Sequence, residues 1–263
     1  MKDNPVHRIL AIDDPLARLL AIMATLRGPQ GCPWDKKQTF HSLKAYLLEE
    51  TYELVDAIDG GDPQEHCGEL GDLLLQIVFQ CQISSESGQF DFHDVAQGIA
   101  DKLIRRHPHI FADAQADTPE EVVETWEKVK EAEGRGLLDG VPNAMPALQK
   151  SDHLCKKAAR VGFDWPDMTG VLEKVKEEAA ELAHATTPEE KEHEMGDLLF
   201  AVANLARKMN IDPEQALQKT NNRFRNRFTH VETRLSKQGK TLQESTLEQM
   251  DALWDEAKKG EQS

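Results

Sequence analysis

Apolar residues recur along this chain at helical rather than strand spacing. Ala, Leu, Glu, Lys and Gln fill the long segments, and only nine Phe, four Trp and two Tyr are present. Residues of this kind at this spacing predict helices, and strand signals are nearly absent. The pattern therefore predicts an all-α fold. We predict helices near residues 15–27, 40–59, 63–86, 92–106, 119–133, 146–160, 169–185, 188–208, 213–237 and 244–259.

Four of the predicted helices begin with the same local signal. A capping residue is followed by proline and, three residues after the cap, by an acid or an amide. The capping side chain accepts a hydrogen bond from a backbone N–H of the first turn. Proline is favoured at the first helical position, because the N–H that it lacks would have no partner within the helix there. The four segments are DPQE (62–65), TPEE (118–121), TPEE (187–190) and DPEQ (212–215).

The weakest helical pattern lies near the middle of the chain. The segment GRGLLDGVPNAMP, residues 134–146, contains three glycines and two prolines, which is typical of a linker. We therefore predict two domains, residues 1–140 and 141–263.

The two halves repeat one order of motifs. Trp165 follows Trp34 by 131 residues, an acidic triplet recurs after 128 residues, and an ExGD element recurs after 125. The small differences fall where loops change length at little entropic cost. The repeated order predicts a tandem duplication of one helical domain. The motifs are EETYE (49–53) with EEAAE (177–181), and ELGD (69–72) with EMGD (194–197).

The charge balance narrows the possible partners. The sequence has 47 Asp and Glu against 31 Lys and Arg, a formal net charge of −16. Such a chain repels nucleic-acid polymers and anionic membranes, whereas a small anion bridged by metal remains compatible. The four cysteines form no CxxC pair, and charges interrupt the N-terminal apolar stretch too often for a signal peptide or a spanning helix. We expect a cytoplasmic protein.

Carboxylates cluster on two predicted helices in each half. Side chains three or four residues apart share a helix face, and the neighbours of these acids are mostly apolar. Carboxylates placed in this way are stable together only if a cation binds them. Oxygen ligands favour a hard cation, so we predict Mg²⁺, with Mn²⁺ as a possible substitute. The candidate metal ligands are Glu50, Glu53, Glu69 and Asp72 in the first half and Glu178, Glu181, Glu194 and Asp197 in the second.

The acids allow two other interpretations. A pair of solvated helix faces would need no metal, but it would not require every acid in both halves. A di-iron site would need Glu-x-x-His on two helices, whereas this chain has Glu-x-x-Asp. His66 and His193 fall at different positions relative to the ExGD elements, so we interpret both as surface residues.

Gly71 and Gly196 directly precede the two aspartates of the ExGD elements. Glycine inside a helix costs about 1 kcal/mol relative to alanine. The repeated glycine therefore indicates a close helix crossing or room for a ligand, although duplication alone could also have copied it.

Basic pairs follow the acids in both halves. Lys102 and Arg106, and likewise Arg223 and Arg227, are four residues apart and share a helix face. Such pairs suit a polyphosphate, because Arg offers forked donors to phosphate oxygens. An ordinary salt-bridged face is an equal alternative for any one of them. Asn222 is a candidate donor to ribose or phosphate, or a local cap.

The tryptophans are candidates for stacking on a nucleobase or for core packing. For Trp254 the two interpretations are equal, and for Trp34, Trp126 and Trp165 we favour packing. Lys174, three residues before the second acidic triplet, joins Arg223, Arg227, Asn222 and Trp254 as a candidate substrate-binding residue.

With these motifs assembled, the chain resembles the MazG family of nucleoside triphosphate pyrophosphohydrolases, part of the all-α NTP pyrophosphatase superfamily. The resemblance covers nearly the full length. It rests on GCPWDKKQTF, LLEETYELVDAI, GELGDLLLQIVF, KLIRRHPHIFAD and WEKVK in the first half, and on VGFDW, KVKEEAAEL, EMGDLLFAVANLAR and LWDEAK in the second.

The resemblance implies an enzyme that hydrolyses nucleoside triphosphates to the monophosphate and pyrophosphate on a helical bundle that forms a homodimer. It also implies that the eight acids named above are metal ligands and that the second copy does most of the catalysis. As a hypothesis, Glu177 orients or deprotonates the attacking water, Glu178 holds the metal, and Arg223 and Arg227 balance the charge of the leaving pyrophosphate.

Two alternatives to this broad activity remain at the level of sequence. One is an enzyme of the same superfamily restricted to dUTP or dCTP. The other is a non-catalytic regulatory module that binds metal or nucleotide. An assay for pyrophosphate release distinguishes an enzyme from such a module. Comparing the rates for different ribo- and deoxynucleotides distinguishes a broad enzyme from a restricted one.

Overall fold

The computed structural model describes residues 5–132 and 136–260, and within them the chain is helical, without any strand. The helices are α1 (Pro5–Leu10), α2 (Pro15–Arg27), α3 (Pro33–Lys37), α4 (Leu43–Gly60), α5 (Pro63–Glu86), α6 (Phe92–Arg106), α7 (Pro108–Phe111), α8 (Pro119–Ala132), α9 (Ala147–Arg160), α10 (Met168–His184), α11 (Pro188–Lys208), α12 (Pro213–Lys237) and α13 (Leu247–Gly260). The prediction of an all-α fold is confirmed.

All ten predicted helices are present, as α2, α4 to α6 and α8 to α13. The last predicted residue of α8, residue 133, lies outside the described residues. The hydrophobic pattern does not predict α1, α3 and α7, which have six, five and four residues. Elements this short contain too few turns to display a hydrophobic period.

The predicted helix starts are formed by side-chain caps. Thr187 accepts a hydrogen bond from the Glu190 N–H at 3.1 Å, and the Glu190 carboxylate accepts one in return from the Thr187 N–H at 3.1 Å. Thr118 and Glu121 make the same reciprocal pair at the start of α8. Asp212 accepts from the Gln215 N–H. These bonds satisfy backbone donors that a helix start leaves free.

The chain divides into two compact units, Met1–Val129 and Lys130–Ser263. The sequence predicts the domain boundary after residue 140, in the segment 134–146, whose first two residues lie outside the described part of the chain. That boundary stays a prediction.

In the N-terminal unit, α5 packs against α2 and α4. Met23, Leu43, Val78 and Phe79 from these three helices form a buried core. Fully burying an apolar side chain of this size contributes roughly 1.5–3 kcal/mol. This core fixes α4 against α5, the two helices that carry the acids of the first half.

In the C-terminal unit, α11 packs against α9 and α10, and α12 packs against α13. Val171 of α10 and Ala201 and Ala203 of α11 are buried. A separate core joins α12 to α13 through Val231, Leu235 and Leu253. The α10–α11 pair thus carries the acids of the second half, and the α12–α13 pair carries the basic residues and Trp254. None of the described helices combines the length and the apolar character needed to cross a membrane.

Candidate active site

A cavity of about 320 Å³ lies at the α10–α11 pair of the C-terminal unit. Its wall is mostly apolar, but it includes two carboxylates, a lysine and an amide. The lining residues are Trp165, Val171, Lys174, Glu178, Asp197, Phe200, Ala201 and Asn204. The cavity therefore gathers three residues predicted from sequence, Lys174, Glu178 and Asp197.

Glu178 is the buried acid of this cavity, with 4% of the residue exposed. The Lys174 Nζ donates to its Oε1 at 2.6 Å and to the exposed Glu177 Oε1 at 2.8 Å. These two hydrogen bonds raise the pKa of Lys174 above its usual value. The second carboxylate oxygen of Glu178, Oε2, is buried and has no hydrogen-bond partner. A buried polar atom without a partner is costly, so this oxygen is a natural ligand for a cation.

The remaining acids of the second half lie next to this pair. Burial, followed by the negative charges of Glu178 and Glu194, raises the pKa of Glu181. On α11, ligand atoms of His193, Glu194 and Asp197 all lie within 4.8 Å of one another. Glu177, Glu178 and Glu181 form an equally compact group on α10. Among the described residues of this unit, each such compact group stays on a single helix.

His193 lies close to two of the predicted ligands, which the sequence pattern did not indicate. Its side chain is exposed, as predicted, but its Nδ1 lies 3.1 Å from the Asp197 Oδ2 and 3.7 Å from the Glu194 Oε1. It therefore belongs to the acidic group of α11. The four-residue spacing between His193 and Asp197 was the available signal, because residues four apart share a helix face.

The N-terminal unit brings its acids together across two helices. Ligand atoms of Glu50 and Glu53 on α4 and of Glu69 on α5 all lie within 4.8 Å of one another. Burial, followed by the charges of Asp72 and Glu53, raises the pKa of Glu50. Burial, followed by the charges of Glu53 and Asp72, raises that of Glu69. The Glu69 Oε2 is buried without a hydrogen-bond partner, as is the Glu178 Oε2 in the other unit.

Amides that were not predicted from the sequence accompany the acids in both units. Gln76 is buried and donates from Nε2 to the Glu50 Oε1 at 3.3 Å. Asn204 is 4% exposed, lines the C-terminal cavity and accepts a hydrogen bond from the Arg207 Nε at 2.7 Å. Gln76 follows Asp72 by four residues and Asn204 follows Asp197 by seven. Helical periodicity counted from the aspartates would have found both.

The two repeated glycines face open space. A Cβ atom placed on Gly71 or on Gly196 would meet no atom within 4 Å. Of the alternatives, this geometry excludes a close helix crossing, because a crossing would bring a neighbouring helix against the glycine. Space for a ligand is compatible with this geometry.

The tryptophans divide into two groups. Trp126 is half-buried against His107, and Trp254 packs on the α12–α13 core. Trp34 and Trp165 are 51% and 40% exposed, so the expectation that both are core anchors is wrong. Trp165 lies directly over the Gly170 backbone and forms part of the cavity wall, because only a glycine leaves room for its ring.

The predicted basic and aromatic residues lie on α12 and α13, not in the wall of the acidic cavity. Arg223 donates to the Thr220 Oγ1 at 2.8 Å, and the Arg227 guanidinium lies 5.6 Å from the centre of the Trp254 ring. Asn222 accepts a hydrogen bond from Arg225 at 3.2 Å. A second cavity, of about 250 Å³, is lined by Phe224, Phe228, Val231, Leu247, Met250, Asp251 and Trp254. In the N-terminal unit, Lys102 and Arg106 are half-buried on α6.

Comparison with protein families places both halves among nucleotide pyrophosphohydrolases. The MazG nucleotide pyrophosphohydrolase domain matches residues 38–111, which contain the acids of α4 and α5. The phosphoribosyl-ATP pyrophosphohydrolase family matches residues 157–224, which contain the acids of α10 and α11. Two tandem domains of related type thus make up the chain.

Relatives of known name extend the similarity to nearly the whole length. The nucleoside triphosphate pyrophosphohydrolase of Escherichia coli strain K12 is 46% identical over 255 residues, which cover 93% of this chain and 97% of that protein. The nucleoside triphosphate pyrophosphohydrolase/pyrophosphatase MazG of Thermotoga maritima is 44% identical over 250 residues, which cover 93% of this chain and 96% of that protein. The chain therefore belongs to the MazG family of nucleoside triphosphate pyrophosphohydrolases, enzymes that act on acid anhydrides.

Proposed function

We propose that this enzyme uses Mg²⁺ to hydrolyse ribo- and deoxynucleoside triphosphates to the monophosphate and pyrophosphate, mainly at the acidic cavity of its C-terminal unit. The observation that carries the proposal is the buried Glu178 Oε2, which has no hydrogen-bond partner and lies in a cavity shared with Asp197. A carboxylate oxygen in that position suits a divalent cation that also binds a triphosphate.

The residues present fit a hard divalent ion. Glu178, Glu181, Glu194 and Asp197 would hold it in the C-terminal unit, and the corresponding N-terminal residues are Glu50, Glu53, Glu69 and Asp72. Apart from the exposed His193, the donors are oxygens, which favours Mg²⁺ and allows Mn²⁺. Such an ion, when bound, neutralises phosphate charge and promotes the ionisation of water.

The side chains around the cavity have separate roles in this proposal. The exposed Glu177 orients the attacking water and accepts its proton. Lys174, now bonded to Glu177 and Glu178, turns to a phosphate oxygen of the substrate. His193 orients the Asp197 carboxylate through their 3.1 Å contact.

The basic face of α12 receives the rest of the substrate. Arg223 and Arg227 balance the charge of the departing pyrophosphate, because guanidinium groups pair well with phosphate oxygens. Asn222 and Trp254 contact the nucleoside. Since these residues do not line the acidic cavity, the proposal requires the substrate to extend from that cavity to α12.

A product assay with matched variants tests the proposal. The purified full-length chain is incubated with Mg²⁺ and each of the common ribo- and deoxynucleoside triphosphates, and pyrophosphate and orthophosphate are measured separately. We expect pyrophosphate, no orthophosphate, and a loss of at least about 10²-fold in Glu178→Gln and Asp197→Asn. The matched variants Glu50→Gln and Asp72→Asn should retain most of the activity.

Three results would contradict the proposal. Orthophosphate as the first product would mean that a different bond is cleaved. Full activity in Glu178→Gln would remove the cavity from catalysis. Turnover of dUTP and dCTP alone would replace the broad substrate range with a restricted one.

The proposal extends to the role and assembly of the enzyme. We assign it a role in clearing the cytoplasmic nucleotide pool, acting as a homodimer. Exposed apolar side chains on α11, among them Leu199, Phe200 and Val202, are compatible with a covered face. Light scattering coupled to size-exclusion chromatography tests the dimer, and a monomeric mass would contradict it.

A further inference from the structure

The two acidic groups differ in the residue that precedes each acidic triplet. Lys174 lies three residues before Glu177 and four before Glu178. At the same spacing before Glu49 and Glu50, the N-terminal unit has Tyr46. This difference places a positive charge next to one acidic group and a neutral ring next to the other.

In the C-terminal unit, the lysine bonds the carboxylate that the proposed metal needs. The Lys174 Nζ lies 2.6 Å from the Glu178 Oε1, and the Glu178 side chain is 5% exposed. A divalent ion held by Glu178 would therefore meet the ammonium group at very short range. Because like charges repel strongly at such distances, an ammonium group held at Oε1 weakens the binding of an ion at the free Oε2.

In the N-terminal unit, the corresponding carboxylate has only a neutral partner among its described hydrogen bonds. The Glu50 Oε1 accepts from the Gln76 amide at 3.3 Å. Tyr46 instead makes an edge contact with Trp34, with ring centres 5.8 Å apart. Ala201 occupies the position in the second copy that corresponds to Gln76 in the first. The half-buried Glu50 thus has an amide as its partner, whereas the buried Glu178 has an ammonium group.

We propose that Lys174 is a tethered cation that keeps metal affinity low in the C-terminal acidic group until a triphosphate draws the ammonium away, whereas the N-terminal group binds a divalent ion without nucleotide. This inference rests on the proposed metal-dependent function. Lys174 is 38% exposed on a flexible stem, so it can turn from Glu178 to a phosphate. The triphosphate offers the ammonium a new partner and brings negative charge to the ion. Metal and nucleotide then enter the C-terminal site together.

A titration of the full-length chain with Mn²⁺ tests the inference without turnover. The electron paramagnetic resonance signal of the free ion measures how much Mn²⁺ is bound. Glu69→Gln disables the N-terminal group, so that the C-terminal group is measured by itself. In that background, we expect Lys174→Gln to strengthen Mn²⁺ binding roughly tenfold. The reason is that the Glu178 carboxylate no longer has to give up its hydrogen bond from a charged ammonium group. Lys176→Gln is the matched control, because it removes an exposed charge from the same helix. It should change the affinity by less than about twofold.

Two further arms separate the components of the inference. A non-hydrolysable triphosphate with a methylene bridge between its α- and β-phosphorus should strengthen Mn²⁺ binding more in the Glu69→Gln background than in the Glu69→Gln/Lys174→Gln variant. In the reciprocal variant Glu194→Gln, which isolates the N-terminal group, Tyr46→Lys should weaken Mn²⁺ binding. Circular dichroism checks that each variant remains helical.

The outcomes distinguish this inference from the function on which it rests. Equal Mn²⁺ affinity with Lys174 and with Gln at position 174, measured in folded protein that does bind Mn²⁺, would overturn the role of Lys174 and leave metal-dependent hydrolysis intact. A failure of Mn²⁺ to bind either acidic group, with or without the nucleotide analogue, would instead contradict the metal site of the proposed function.

Discussion

Arg207 donates to Asp164 at 2.6 Å and thereby ties α11 to the loop before α10. The Lys208 Nζ lies 2.9 Å from the other oxygen of the same carboxylate. All three side chains are largely buried, the most exposed at 20%. Since Trp165 directly follows Asp164, these ion pairs hold the loop that supplies the cavity wall.

We expect Asp164→Asn to lower the free energy of unfolding by about 1.5–3 kcal/mol near neutral pH, because hydrogen bonds to charged groups are lost. Burial would raise the pKa of Asp164, but the hydrogen bonds from Lys208 and Arg207 outweigh it and lower the pKa below 3.8. The stabilisation is therefore present above pH 3.8 and is lost as the pH falls through the folded-state pKa. Urea unfolding of both proteins across this range measures the difference.

Asp255→Asn is the control for this prediction. Asp255 pairs with Lys258 at 2.8 Å, and both side chains are about half exposed. An exposed pair of this kind contributes at most roughly 1 kcal/mol. A cost for Asp164→Asn no larger than that for Asp255→Asn would contradict a stabilising role for the buried ion pairs.

A divalent ion should stabilise the folded enzyme without substrate. A ligand that binds only the folded state adds about 2.7 kcal/mol at a concentration one hundred times its Kd. We therefore expect Mg²⁺ or Mn²⁺ to raise the melting temperature, and EDTA to reverse the increase. Scanning calorimetry or dye-monitored melting follows the effect.

The double variant Glu69→Gln/Glu194→Gln tests whether the two acidic groups cause that increase. It should melt at the same temperature with and without the ion. Glu194→Gln should keep most of the response, and Glu69→Gln should keep the smaller part, because Lys174 weakens ion binding in the C-terminal group. An unchanged metal response in the double variant would place the ion elsewhere on the molecule.

Most of the helices could be predicted from the sequence, because hydrophobic periodicity and caps such as Thr187 depend only on residues close together in the chain. It also indicated which acids share a helix face, because that face follows from a spacing of three or four residues. The pairing of Asp164 with Arg207 could not be predicted in this way, because the two residues are 43 positions apart. Such a contact depends on how α9, α10 and α11 pack, which no local pattern encodes.

The candidate site was predictable in its composition but not in its internal contacts. Lys174 was recognised as a substrate-binding candidate, yet its bond to Glu178 depends on the burial of that glutamate. Open space beside Gly196 was likewise only one of several explanations that the sequence allows for the repeated glycine. Only the tertiary structure separates open space from a helix crossing, because both favour a residue without a side chain.

Gly196→Ala should stabilise the enzyme while weakening its function. A Cβ at this position meets open space, and alanine is favoured over glycine in a helix by about 1 kcal/mol. If the open space receives substrate, the KM for nucleoside triphosphates should rise, because the added methyl group occupies part of it. Urea unfolding and steady-state kinetics measure the two effects on the same preparation.

Gly71→Ala is the matched control for this substitution. It should give the same gain in stability, because Gly71 also faces open space. It should leave KM unchanged if catalysis takes place in the C-terminal unit. An unchanged KM in Gly196→Ala would contradict the use of that space by substrate.

The final prediction concerns Arg223 and Arg227 of α12, whose guanidinium groups make different contacts. The Arg227 guanidinium lies over the Trp254 ring at 5.6 Å, whereas Arg223 is exposed and bonds Thr220. Arg227→Lys keeps the charge but loses the planar group, so we expect a loss of roughly 0.5–1 kcal/mol in stability together with lower kcat/KM.

Arg223→Lys should leave stability unchanged, and Arg223→Ala should lower kcat/KM about tenfold or more if that cation contacts phosphate. Urea unfolding and steady-state pyrophosphate release measure these values. Full kcat/KM in both Arg223→Ala and Arg227→Lys would exclude the basic face of α12 from substrate binding.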